Sequence, residues 1–117
     1  MIRIAIVEDD KTSAQLLTDY LKRYKQVNDS LFSVSRYTNG MNFLDEYKGE
    51  WDIVFMDIEM PHLNGMDTAR KLREIDENIC IIFVTNMAQY ATSGYEVSAM
   101  DFMVKPVGYF KFSLKLQ

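Results

Sequence analysis

Apolar residues gather in five short runs bounded by polar or turn-forming residues: Ile2 to Val7, Leu31 to Tyr37, Asp52 to Met56, Ile79 to Val84 and Asp101 to Val104. Runs with little polar alternation suit strands covered on both faces, as in a parallel sheet whose connections are helices. The intervening segments carry helical spacing. Between Ser13 and Val27, Leu16, Leu17, Tyr20, Leu21 and Tyr24 share one face, while Lys22, Arg23 and Lys25 fall on the solvent side. Gly65 to Ile75 repeats the pattern with Met66, Ala69, Leu72 and Ile75. Two shorter helices are predicted over Gly40 to Tyr47 and Met87 to Glu96, the second with Gly94 near its end. Strict alternation of strand and helix predicts a doubly wound α/β fold, a five-stranded parallel sheet with helices on both faces.

With 117 residues, of which 48% are hydrophobic, the chain suits one domain with a packed core. A net charge of -4 repels a phosphate backbone, so direct contact with nucleic acid is not expected. No apolar run is long enough to cross a bilayer, and no membrane contact is expected. The single cysteine, Cys80, rules out an internal disulfide and suits a reducing cytoplasm. Gly108 to Gln117 places Phe112, Leu114 and Leu116 at a spacing that predicts a final helix without cap or polar tail. The expectation is a chain cut within its last helix from a longer protein.

In an open α/β sheet, ligands bind beyond the carboxyl ends of the strands. Here those ends carry Glu8, Asp9 and Asp10 after the first run, Asp57 after the third, Thr85 and Asn86 after the fourth, and Lys105 and Pro106 after the fifth. Carboxylates crowded in one crevice repel one another unless protonated or bridged by a cation, and hard oxygen ligands suit Mg2+. With the ion in place, the crevice accepts a phosphoryl oxygen, and Asp57 is placed to attack phosphorus and form an acyl phosphate. Lys105 and Thr85 supply the remaining phosphoryl contacts as ammonium and hydroxyl donors. Any one of these acids is most simply a wet loop residue; acid, acid, hydroxyl and lysine on the ends of different strands form a set that loop polarity does not explain.

The motifs Ile-Ala-Ile-Val-Glu8-Asp9-Asp10, Ile53 to Pro61, Asn64-Gly65-Met66, Phe83-Val-Thr85 and Asp101-Phe102-Met-Val-Lys105-Pro106 occur in this order. Together they resemble the receiver domains of bacterial two-component response regulators, over nearly the whole chain. The resemblance implies strand order 2-1-3-4-5 and phosphorylation of Asp57 by a sensor histidine kinase. It further implies Mg2+ held directly by Asp9, Asp57 and the backbone carbonyl of Glu59, and by Glu8 through water. Thr85 and Phe102 would form a switch, the hydroxyl moving toward the phosphoryl group as the ring turns inward. Phosphorylation would thereby alter the face made by the fourth helix, fifth strand and final helix, where homodimers could form. A cis bond before Pro106 would aim Lys105 into the site. Asn86 is bulkier than the small residue usual in the family and narrows access; Asn86, Met87 and Glu59 are placed to tune the lifetime of the acyl phosphate.

The stretch Thr85 to Ala91, with Gly94 to Phe102, resembles more particularly receivers joined to LytTR-type DNA-binding domains, which implies a transcription regulator. The resemblance also implies self-phosphorylation with slow loss to water rather than turnover of external substrates. A dehalogenase-type aspartyl phosphatase wants a second aspartate where Glu59 stands. A flavodoxin-like binder wants a Ser/Thr/Gly-rich first loop where Glu8-Asp9-Asp10-Lys11 stands. The remaining rival is a degenerate receiver that only mediates protein contacts. His62, the only histidine, leaves no zinc cluster or serine triad and is expected in solvent.

Overall fold

Along β1 (Ile2–Val7), successive side chains point to opposite faces, so an apolar run with no alternation must be covered on both sides. That is the arrangement found in the computed structural model, which describes residues 1–28 and 31–116. Ile4 and Ile6 join one core with Leu17 and Leu21 of α1 (Lys11–Asn28), while Ala5 and Val7 join a second core with Leu72 of α3 (Gly65–Ile75). β2 (Phe32–Tyr37), β3 (Ile53–Met56), β4 (Cys80–Thr85) and β5 (Asp101–Val104) complete a parallel sheet of order β2-β1-β3-β4-β5. The doubly wound fold expected from the hydrophobic pattern is the fold observed.

Strand registers align the carboxyl ends: Val7 pairs with Met56, Met56 with Phe83, and Thr85 with Val104. The residues after each partner therefore emerge on one edge. α1 and α4 (Tyr109–Leu114) cover one face; α2 (Gly40–Asp45) and α3 cover the other. Phe112 anchors α4: it is fully buried, stacks on Phe55 at 5.1 Å between ring centroids, and packs against Tyr20 at 5.4 Å. The Tyr20 hydroxyl donates to the Val107 carbonyl at 2.8 Å. Gln117, the last residue of the expected final helix, lies outside the described residues.

The helix expected over Met87 to Glu96 is not an α-helix. Two 3-10 segments, Ala88–Tyr90 and Thr92–Val97, take its place, and Ser98 ends them in the left-handed region at φ 53°. Neither segment has a side-chain cap, and Thr92-Ser93-Gly94 interrupts the middle with poor helix formers. Arg73 of α3 holds the far end, donating to the carbonyls of Val97 at 2.6 Å and Ser98 at 3.2 Å. Expected boundaries also shift by a few residues, with α1 starting at Lys11 rather than Ser13.

α3 leads away from the loop after β3, and its start is fixed by Asn64, whose side chain accepts from the Asp67 N–H at 2.9 Å. Asn64→Ala leaves that donor without its cap and is expected to cost about 1 kcal/mol, read as a lower urea midpoint at unchanged slope.

Candidate functional site

Asp10 closes the loop after β1 by capping α1: its Oδ2 accepts from the Ser13 N–H at 2.9 Å and from the Ser13 hydroxyl at 2.7 Å. These bonds, hydroxyl first, hold its carboxyl below the usual range. Asp10 is thus a structural acid, whereas Glu8, Asp9 and Asp57 come together, each offering a carboxylate oxygen within 4.8 Å of the others. Glu8 and Asp57 are buried and Asp9 is exposed, so the trio forms a cup with one wet side.

Lys105 spans the cup. Its Nζ donates to Glu8 Oε1 at 2.8 Å, Asp57 Oδ2 at 2.9 Å and Ser13 Oγ at 3.1 Å. The Lys105–Pro106 bond is cis, as the family resemblance implied. The other oxygens meet backbone donors: Asp57 Oδ1 accepts from the Glu59 N–H at 3.3 Å, and Glu8 Oε2 from the Asp10 N–H at 3.2 Å. From behind, the Arg36 guanidinium donates to the carbonyls of Glu8 and Asp9 at 3.1–3.2 Å. Arg36 and Ser13 were not singled out from sequence. Ser13 stood three residues beyond Asp10 as a capping signal; Arg36, near the end of an edge strand, carried no such signal.

Two carboxylates share one ammonium here. Burial, opposed by the Lys105 hydrogen bond and reinforced by Asp57, raises the Glu8 pKa to about 7. Burial pulls Lys105 down, but its bonds to Glu8 and Asp57 outweigh this and leave it above its ordinary value. The donor set therefore fits a hard divalent cation: oxygen ligands only, in excess over the single ammonium.

The raised Glu8 pKa has a pH signature. The folded state holds the Glu8 proton up to about pH 7, and the unfolded state releases it near 4.5. Between those values the native state binds more protons, so metal-free stability falls as pH rises. Urea midpoints in EDTA should fall from pH 5 to pH 7.5, with the decline missing in Glu8→Gln. A flat profile in the parent protein would show Glu8 to be ionised throughout.

Thr85 is fully buried, and its Oγ1 accepts from the Met87 N–H at 3.1 Å rather than bonding Asp57 or Lys105. Phe102 is half-buried, 5.9 Å from the Phe83 ring, and packs against the core of α2 and α3. Asn86 is exposed and, with Pro106, Leu16, Leu17 and Lys105, lines a hollow of about 260 Å³ beside the cup. Glu59 and His62 are exposed and Met87 half-buried.

Comparison with known proteins agrees with this arrangement: the family described as "Response regulator receiver domain" matches residues 4–116. The chain belongs to the response regulator receiver family. Sensory transduction protein LytT of Oceanobacillus iheyensis is 32% identical to this receiver over 120 residues, covering 98% of the chain and 46% of LytT. Transcriptional regulatory protein CusR of Escherichia coli (strain K12) is 30% identical over 111 residues, covering 92% and 46%. The receiver thus spans about half the length of these relatives. Among solved structures, TrrA of Thermotoga maritima in complex with Mg(2+)-BeF superposes with a TM-score of 0.85 at 26% identity, covering 99% of this receiver and 96% of TrrA. As a receiver, the chain is a component of two-component signalling, a family of phosphoacceptors that interact with sensor histidine kinases. Among the described residues, no helix is long and apolar enough to cross a membrane.

Proposed function

We propose that Asp57 accepts a phosphoryl group from the phosphohistidine of a sensor kinase. One carboxylate oxygen attacks phosphorus, the bond from phosphorus to the histidine nitrogen breaks, and the imidazole leaves with the electron pair and takes up a proton. The observation that carries this reading is the position of Asp57: a buried carboxylate in an acidic cup, oriented by Lys105 and the Glu59 N–H. Such a group needs alignment and charge neutralisation rather than activation by a base.

Asp9 and Asp57 would hold Mg2+ directly, with the Glu59 carbonyl, and Glu8 through water. The ion supplies positive charge for the phosphoryl oxygens; the Mg(2+)-BeF complex of TrrA supports this cofactor. Lys105 pairs with one phosphoryl oxygen. Thr85 gives up the Met87 N–H and turns its hydroxyl to another, opening space for the Phe102 ring. Asn86, Met87 and Pro106 border the site and govern access to it. The kinase docks at the hollow beside Lys105, where Leu16 is exposed.

The altered face consists of the 3-10 segments, β5 and α4. It exposes Tyr95, Met100, Val104, Phe110 and Leu114, a surface suited to phosphorylation-dependent homodimers. In the longer protein that relatives of twice this length suggest, the output is a LytTR-type DNA-binding domain controlling transcription in the cytoplasm. The receiver itself makes no contact with DNA.

Intact-protein mass after incubation with acetyl phosphate or a phosphorylated cognate kinase tests the proposal. One phosphoryl adduct is expected, dependent on Mg2+ and missing in Asp57→Asn. No adduct from either donor would replace this reading with a receiver that only mediates protein contacts.

A further inference from the structure

Among the described residues, β2 forms an open edge of the sheet, hydrogen-bonded only to β1. The ladder fixes which of its backbone groups are used. The Ile2 N–H donates to the Leu31 carbonyl and the Glu8 N–H to the Tyr37 carbonyl, so Leu31, Ser33, Ser35 and Tyr37 point toward β1. The N–H and C=O groups of Phe32, Val34 and Arg36 therefore point outward.

The side chains of these same three residues line a groove of about 470 Å³ against α1, closed by Leu21, Lys22 and Lys25. Among the described residues, three cations and no acid line it, in a chain of net charge -4. Arg36 spends its guanidinium on backbone carbonyls, and Lys22 and Lys25 enter no ion pair among the described residues. Asp19, the acid nearest Lys22 along α1, bonds Gln15 and does not line the groove.

We propose that this edge docks an extended acidic segment of a partner protein, which adds to the sheet beside β2. Main-chain bonds form to Phe32, Val34 and Arg36, and alternate glutamates or aspartates lie over Phe32 and Val34 with their carboxylates on Lys22 and Lys25. Charge selects this occupant. A second copy meeting the edge with its own would set like charges against one another, and a nucleic acid would meet a chain repulsive elsewhere. Because Arg36 also holds the carbonyls of Glu8 and Asp9, an acid drawn to Arg36 would bear on the loop that carries the metal-binding acids.

Cationic edges also occur simply to discourage self-association, and that reading predicts no preference for acidic strands. The test titrates the nitrogen-labelled chain with a synthetic peptide alternating glutamate with valine. The expected result is slowed exchange and shifted amide signals concentrated at Phe32, Val34 and Arg36. Lys22→Glu with Lys25→Glu should weaken binding about tenfold or more, and a peptide alternating lysine with valine should recover it. Val34→Pro, which removes an outward N–H that the native ladder does not use, should weaken the acidic peptide while leaving both lysines in place. No binding, or binding without protection of those three amides, would overturn the proposal. So would an equal or tighter response to a DNA duplex or to phosphatidylglycerol vesicles, which would make the groove a general anion surface.

Discussion

Lys105→Met is expected to lower the stability of the metal-free protein by roughly 3 kcal/mol near pH 8. Among the described residues, the ammonium is the one cation bonded to both Glu8 and Asp57, whose side chains are only 3% and 6% exposed. Methionine keeps most of the apolar stem but leaves two buried carboxylates facing each other without compensation. The loss should shrink toward pH 5, because Glu8, already raised to about 7 with the lysine present, can relieve the repulsion by taking a proton. Mg2+ should return much of the lost stability by binding the folded state alone, and more in the variant than in the parent. Urea denaturation in EDTA and in Mg2+, at both pH values, separates these effects. A variant as stable as its parent in EDTA would mean that water already screens the two carboxylates.

Gly65→Ala should be at least as damaging, through sterics alone. A Cβ at this position would sit 2.0 Å from the Asp57 carbonyl oxygen and 2.8 Å from both its carbon and the Ile58 Cα. All three are backbone atoms, so no change of rotamer relieves the clash. Either α3 retreats from the loop or the loop moves, and the Gly65 N–H loses its 2.8 Å bond to the Ile58 carbonyl. Overpacking and the broken bond together suggest about 3–4 kcal/mol. The displaced backbone is that of Asp57 itself, so Mg2+ affinity, measured by calorimetry, should fall with stability. Gly108→Ala is the control: nothing lies within 4 Å of a Cβ there, and φ is -80°. Its unfolding midpoint should barely move, whereas an unmoved midpoint in Gly65→Ala would mean that α3 slides on the sheet at little cost.

The strands were legible because burial on both faces leaves a local trace, a short continuous apolar run, and the ends of those runs pointed to Glu8, Asp9, Asp57 and Lys105. What escaped depends on direction rather than position. Asp10 follows two site acids in sequence, yet the start of α1 turns its carboxylate to Ser13. Arg36 meets the Glu8 and Asp9 carbonyls only because β2 lies beside β1. The helix expected over Met87 to Glu96 fails for a different reason. Its apolar spacing is compatible with a helix, but the 3-10 segments have no side-chain caps, and Arg73, from a distant element, secures their end. Periodicity reports which side chains seek the core; it is silent on whether a helix can close its own ends.

Glu8 and Lys105 stand 97 positions apart, so the cup draws its first acid and its ammonium from distant parts of the chain. Translation delivers them in that order. While the ribosome is still adding residues, β1 and β3 can pair and bring Glu8 toward Asp57 with no lysine to separate them. A β1–β3 pair formed before β5 appears would face Glu8 toward Asp57 without the ammonium, a repulsion that a proton on Glu8 or a divalent cation would relieve until Lys105 arrives.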